Sequence, residues 1–157
     1  MKTIFATLIT LILLTLGSLQ AQDFSQAVGL RGGLANGITY KASLDGTNAF
    51  DLILSSRWSG FSFTALYERH FYPFEVDGLY AYYGAGAHIG FYDNRSPWFD
   101  GNSSGMVLGA DGVIGIEYVF ADFPINLSFD WKPVINLIGH SGFYGGGFGL
   151  SARYIIN

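Results

Sequence analysis

The chain has no cysteine. That excludes disulfides, thiolate metal sites and a lipid-modified N-terminal cysteine. Charge is scarce: Asp, Glu, Lys and Arg make up 13% of the 157 residues, against about 25% in ordinary soluble domains. No stretch is basic and the formal net charge is −4, which argues against a nucleic-acid partner. Beyond Leu16 no run is apolar enough for a transmembrane helix. A chain of this kind can cross a membrane only as a closed barrel. No Gly-x-Ser-x-Gly elbow occurs, and the His and carboxylate residues show no metal-ligand spacing, so neither a hydrolase nor a metal centre is signalled.

Glycine (22 residues) and aromatics (17%) are abundant instead. The N-terminus is distinct. Lys2 precedes an apolar run from Ile4 to Leu16, with the small residues Gly17, Ser18 and Ala21 after it. This is the pattern of a secretory signal peptide, too short to span a bilayer comfortably. Cleavage is expected after Ala21, giving a signal over 1–21 and one domain over 22–157.

The mature chain alternates with period two, the signature of strands with one apolar and one polar face. The clearest stretch runs from Val113 to Leu137. Ile114, Ile116, Tyr118 and Phe120 share a face; after a turn at Ala121–Pro124, so do Ile125, Leu127, Phe129, Trp131, Ile135 and Leu137. Glu117, Asn126, Ser128, Asp130, Lys132 and Asn136 fall on the opposite side. Similar alternation predicts strands over Ala27–Ala35, Ile38–Leu44, Phe50–Trp58, Phe61–Tyr72 and Leu79–Tyr92, then from Met106 to Phe120, Ile125 to Ile138, and a last strand to Asn157. Asn36-Gly37 is a strong hairpin signal. Asp45–Asn48, Ser59-Gly60 and Pro73–Gly78 supply further turns. Asp93–Gly105 is the longest loop, and Gly139–Gly142 opens the last one. Eight antiparallel strands in up-and-down order follow, with both termini at one end.

Two architectures fit such strands. A soluble barrel turns its apolar face inward; a membrane barrel turns it toward lipid. Here the polar face is mostly Gly, Ser, Thr and Asn, which suits a cramped lumen better than a water-facing surface. Its charges balance: Arg31, Lys41, Arg57, Lys132 and Arg153 against Asp51, Glu68, Asp111, Glu117 and Asp130. Such a set, with His88, can pair inside and plug the lumen. The apolar face, including Phe61, Phe63, Tyr67, Ile116, Tyr118, Leu127, Phe129, Trp131 and Tyr154, is expected to face lipid. The expected fold is therefore an eight-stranded antiparallel up-and-down transmembrane β-barrel. The competing expectation is a soluble periplasmic barrel of lipocalin type.

Four segments carry a resemblance: AVGLRGGLANGITYK (Ala27–Lys41), YYGAGAHIGFYD (Tyr82–Asp93), DGVIGIEYVFADFPINLSFDWKPVINLIG (Asp111–Gly139) and the C-terminal GLSARYIIN. In these the chain resembles small outer-membrane β-barrel proteins of Gram-negative bacteria, similar in architecture to the OmpA/OmpX-type barrels. The resemblance implies a cell outer-membrane location with periplasmic termini. It implies outer-membrane lipid as surroundings and the barrel-assembly machinery as a partner during insertion. It implies no settled activity and no cofactor. One departure is the ending Ile155-Ile156-Asn157, where many such barrels carry a terminal aromatic. The architecture is porin-like in kind, but an open pore needs more strands.

The histidines are the remaining candidates for chemistry. His88, among glycines on the polar face, reads as a hydrogen-bonded lumen residue rather than a titrating one. His70 is expected near a strand end, solvated. His140-Ser141 brings lipid A deacylases to mind, since some eight-stranded barrels use a His and a Ser in that way. Adjacent residues on a strand point to opposite faces, and no acidic residue is near in sequence, so no enzyme is expected. Asp93, Asn94, Asp100 and Asn102 could make the long loop a weak calcium site or a tip for an unknown ligand. A plain solvated loop fits better. The expected role is structural, or interaction through the external loops.

Overall fold

A computed structural model describes residues 25–57, 59–93 and 105–156. The signal segment, Trp58, the loop residues 94–104 and Asn157 lie outside the described residues, and with them the signal-peptide reading and most of the Asp93–Gly105 loop. Eight strands follow one another: β1 (Gln26–Gly33), β2 (Asn36–Ser43), β3 (Asn48–Arg57), β4 (Gly60–Phe71), β5 (Leu79–Tyr92), β6 (Gly105–Val119), β7 (Ile125–Ile138) and β8 (Gly142–Ile156). Each pairs with the next, and β1 closes on β8, giving one antiparallel barrel. Closure removes both sheet edges, so no described strand presents an open edge. Gln26 stands opposite Ile156, which puts both ends of the barrel chain at one rim, here the proximal end.

The turn chemistry is local. At the proximal end, Asp45 accepts hydrogen bonds from the backbone amides of Asn48 (2.6 Å) and Thr47 (2.9 Å), closing the β2–β3 connection. Those bonds, that from Asn48 first, hold its carboxyl below the usual carboxylate range. The support they give is full above that range and fades as pH falls through the lowered value.

The first and last distal turns differ from expectation. Asn36-Gly37 is not the first hairpin turn. Both residues belong to β2, where Asn36 faces Ser56 and Gly37 faces Ser55. The chain reverses at Leu34 and Ala35 instead, because β1 pairs with β8 only as far as Gly33. There a φ of 141° redirects the backbone, a conformation glycine adopts without penalty. The last connection is shorter than expected. Only Gly139–Ser141 separate β7 from β8, so His140-Ser141 sits in a tight turn. A bulge lies below it. Lys132 faces Gly147 and Val134 faces Tyr144, so Pro133 opposes both Gly145 and Gly146. Proline has no amide to donate to the ladder and is accommodated at such a bulge. The positive φ of Gly146 (69°) makes the irregularity possible.

The apolar side chains point out. Phe61, Phe63, Tyr67, Ile116, Tyr118, Leu127, Phe129, Trp131 and Tyr154 are all on the outer surface, 37% to 59% exposed. They meet across strands: Phe50 is edge-on to Tyr67 at 5.3 Å between ring centroids, and Phe129 is stacked on Phe148 at 5.7 Å. Such cross-strand pairs stabilise a sheet face by roughly 0.2–1 kcal/mol each. One outward charged side chain occurs on a described strand, Arg69 near the proximal end of β4; the other charges among the described residues lie inside or in connections.

Candidate functional site: the charged interior and its distal cavity

The inner face carries the charge, in tiers along the barrel. Nearest the termini, Lys41 of β2 is fully buried between Glu68 of β4 and Glu117 of β6, its Nζ 2.7 Å from a carboxylate oxygen of each. Its ammonium also lies 4.3 Å from the ring centroid of Tyr82, close enough for a cation–π contact. Arg153 of β8 joins this tier. It donates to Asp51 (2.7 Å), Ser128 (2.8 Å), Thr39 (3.1 Å) and Asn126 (3.2 Å). Thr39 in turn donates to the other oxygen of Asp51 at 2.5 Å. Four of the five N–H donors of the Arg153 fork therefore meet an acceptor, as a buried guanidinium needs.

In the middle tier the Arg31 guanidinium grips both carboxylate oxygens of Asp130. Tyr82 donates its hydroxyl to the same carboxylate at 3.0 Å. The glycines of the inner face create this space. A Cβ on Gly149 would overlap the Arg31 guanidinium, and one on Gly115 would stand 2.7 Å from both the Asp130 Cβ and the Tyr82 ring. In the next tier Asp111 lies 3.1 Å from His88 Nδ1 and 3.3 Å from Lys132 Nζ. Asp130 and Lys132, neighbours on one face of β7, are thus paired with different partners.

The residues expected in the polar network therefore all fall on the inner side of the wall. Arg31, Lys41, Asp51, Glu68, His88, Asp111, Glu117, Asp130 and Arg153 are buried, while Arg57 and Lys132 are half-buried toward the distal end. His70 corrects the expectation of a solvated residue. Its side chain is only 10% exposed. It stacks on Tyr82 at 5.2 Å, with Nε2 3.5 Å from Glu117. Alternation alone put His70 on the polar face, but not at this depth. The interior also holds an apolar cluster, Ile53, Leu66, Tyr82 and Val113. Ile53 and Leu66 sit at inward positions of strands whose other inward residues are mostly polar, a signal that strict alternation contains and a polar-face reading passes over.

Above the Asp111 tier the packing opens. A cavity of about 430 Å³ occupies the distal mouth, with Arg31 and His88 among its lining and the glycines of the β8 bulge in its wall. Ser55 and Ser62, 3.0 Å apart, form part of the opposite wall. The outer turn contributes an aromatic contact, with the His140 ring 6.1 Å from that of Tyr144. Among the described residues no group of three or more His, Asp or Glu side chains is placed to hold a metal ion. No family model and no curated protein matches this chain.

Proposed function

We propose that this protein is an integral barrel of the bacterial outer membrane, released from a signal peptide and held with both termini in the periplasm. Its role is structural, or contact through its distal connections, and it catalyses no reaction. One observation carries the reading: an outer surface of aliphatic and aromatic side chains around an interior of paired charges. Soluble monomers rarely expose contiguous apolar patches beyond a few hundred Å². Burying one large apolar side chain is worth roughly 1.5–3 kcal/mol. A belt of this extent in water would forfeit more than a typical net stability of about 5–15 kcal/mol. Lipid covers it without any second protein. The one outward charge on a described strand, Arg69, lies where headgroups would meet it. Strands of 8 to 15 residues bracket the roughly 9–11 a tilted membrane strand needs. The soluble lipocalin-type alternative requires the apolar face inside, opposite to the arrangement described above.

Fractionation with a heat-shift gel tests the reading. Expressed with its signal, the protein is expected in the outer-membrane fraction, to require detergent, and to change gel mobility when boiled. A species soluble without detergent and without a shift would overturn the membrane placement. For the non-catalytic half of the proposal, overexpression is expected to leave the lipid A acylation pattern unchanged, and His140→Ala to have no effect on it. A new lipid A species that disappears in His140→Ala would make the protein an acyl hydrolase.

A further inference from the structure

The tier nearest the termini does not balance. Among the described residues it holds the carboxylates of Asp51, Glu68 and Glu117 against the cations Lys41 and Arg153, all of them buried. Arg153 is engaged with Asp51 at 2.7 Å. Lys41 is left between Glu68 and Glu117, 2.7 Å from each. The tier above offers no further cation, because Arg31 is held by Asp130. One negative charge is therefore in excess among buried side chains, where groups neutralise rather than stay charged and unpaired. The geometry shows where. Glu68 and His70, two apart, share the inward face of β4, opposite Gly84 and Tyr82 of β5. His70 Nε2 lies 3.5 Å from Glu117 and 3.9 Å from Glu68. Glu68 Oε2 and His70 Nε2 are both buried without a hydrogen-bond partner; the Lys41 ammonium is close to that oxygen but out of line with it. A carboxylate oxygen and an imidazole nitrogen can each accept a proton.

We propose that Glu68, His70 and Glu117 form a binding site for one proton, shared among the two carboxylates and the imidazole in the folded barrel. The proton comes from solution and brings the tier to neutrality. His70 is the least enclosed of the three and stands near the proximal end of β4, so exchange runs through that end. The surrounding strands add no other charge. β2 presents Lys41, β3 Asp51 and β8 Arg153. β5 presents two phenols, Tyr80 in register with Glu117 and Tyr82 with its hydroxyl on Asp130. β7 presents the uncharged Asn126 and Ser128, and β1 Ala27. The site is made by the barrel interior and does not rest on the membrane placement.

Linkage fixes the sign of the effect. In the unfolded chain glutamate and histidine side chains have released their protons above about pH 6.5, whereas the folded site keeps one. Folding then takes up a proton, and stability falls as pH rises until the folded site loses it too. The test is urea unfolding of the full mature protein in nonionic micelles. From pH 7 to pH 9 its unfolding equilibrium constant is expected to rise about tenfold. Glutamine at position 68 imitates the protonated carboxyl and removes the excess charge. Glu68→Gln is therefore expected to be nearly flat over that span and, at pH 9, more stable than the unaltered protein by about the same factor. Glu117→Gln should flatten the profile as well. Comparing the proteins cancels titration elsewhere, that of His88 included. With every carboxylate ionised, Glu68→Gln would only remove a buried partner of Lys41 and be the less stable protein at every pH. That result, a flat profile for the unaltered protein, or equal slopes in it and Glu68→Gln overturns the proposal. If Glu68→Gln does not fold, the slope of Glu117→Gln decides. If neither folds, about one proton released per barrel on unfolding at pH 8 supports the site and none overturns it. A failure of the membrane reading shows instead as a protein that needs no detergent, whatever its pH profile.

Discussion

Replacing Arg153 with methionine is expected to cost about 3–5 kcal/mol of folding stability, because it strands a buried carboxylate. Arg153 is 1% exposed and Asp51 2%. Without the guanidinium, Asp51 keeps the Thr39 hydroxyl, one neutral donor for a full charge. Ser128 and Asn126 lose their shared donor as well. Arg153→Lys should recover only part of the loss, since one ammonium cannot fill four acceptor directions held by a planar fork. The double variant Arg153→Met with Asp51→Leu should be far more stable than Arg153→Met alone. Removing both members of a buried pair abolishes the uncompensated charge, whereas removing one creates it. Urea titration of the folded fraction, read by the heat-shift, gives the three values. A loss below about 1 kcal/mol for Arg153→Met would mean that the tier is wet and screened, as at an exposed pair.

The partners in that tier were not legible from the sequence, although the residues were. Alternation along β7 and β8 assigns Asp130 and Arg153 to the inner face with no further information. Which cation meets which anion depends on strand tilt and register around a closed barrel. Arg31 meets Asp130 from 99 positions away, and Arg153 meets Asp51 from 102. No local pattern encodes those distances. His70 shows the same limit: its face follows from period two, its burial from Tyr82 and Glu117 on other strands. The missed turn at Leu34 and Ala35 has a different cause. Asn-Gly is a strong hairpin signal when it stands alone, but Gly32 and Gly33 lie just before it, and pairing with two neighbours at once favours them. Ile53 and Leu66 were passed over because a polar-face reading expects no apolar residue inside. They pack with Tyr82 and Val113 inside the barrel. The distal cavity is also beyond sequence, since it depends on the bulge opposite Pro133 and on glycines that leave space.

Phe129→Arg separates lipid from water as the medium around the belt. Phe129 stands between Ile116 of β6 and Leu150 of β8 on the outer face, 49% exposed and stacked on Phe148. In either medium the substitution loses the stacking, about 0.5–1.5 kcal/mol. In a bilayer it also puts a cation near mid-depth, a further cost of about 2–4 kcal/mol. Phe129→Gln loses the ring without adding charge, so the difference between the two variants isolates the medium. Depth supplies a second control. Tyr154 lies on the same face near the proximal end of β8, where an added arginine is expected to cost about 0–1 kcal/mol. Folding into phospholipid vesicles across a urea series should therefore rank Phe129→Arg well below Phe129→Gln, with Tyr154→Arg close to the unaltered protein. Equal losses for Phe129→Arg and Phe129→Gln would mean that arginine at this position is as well solvated as glutamine. The belt would then meet water, and its aromatic surface would need a protein partner rather than a bilayer to cover it.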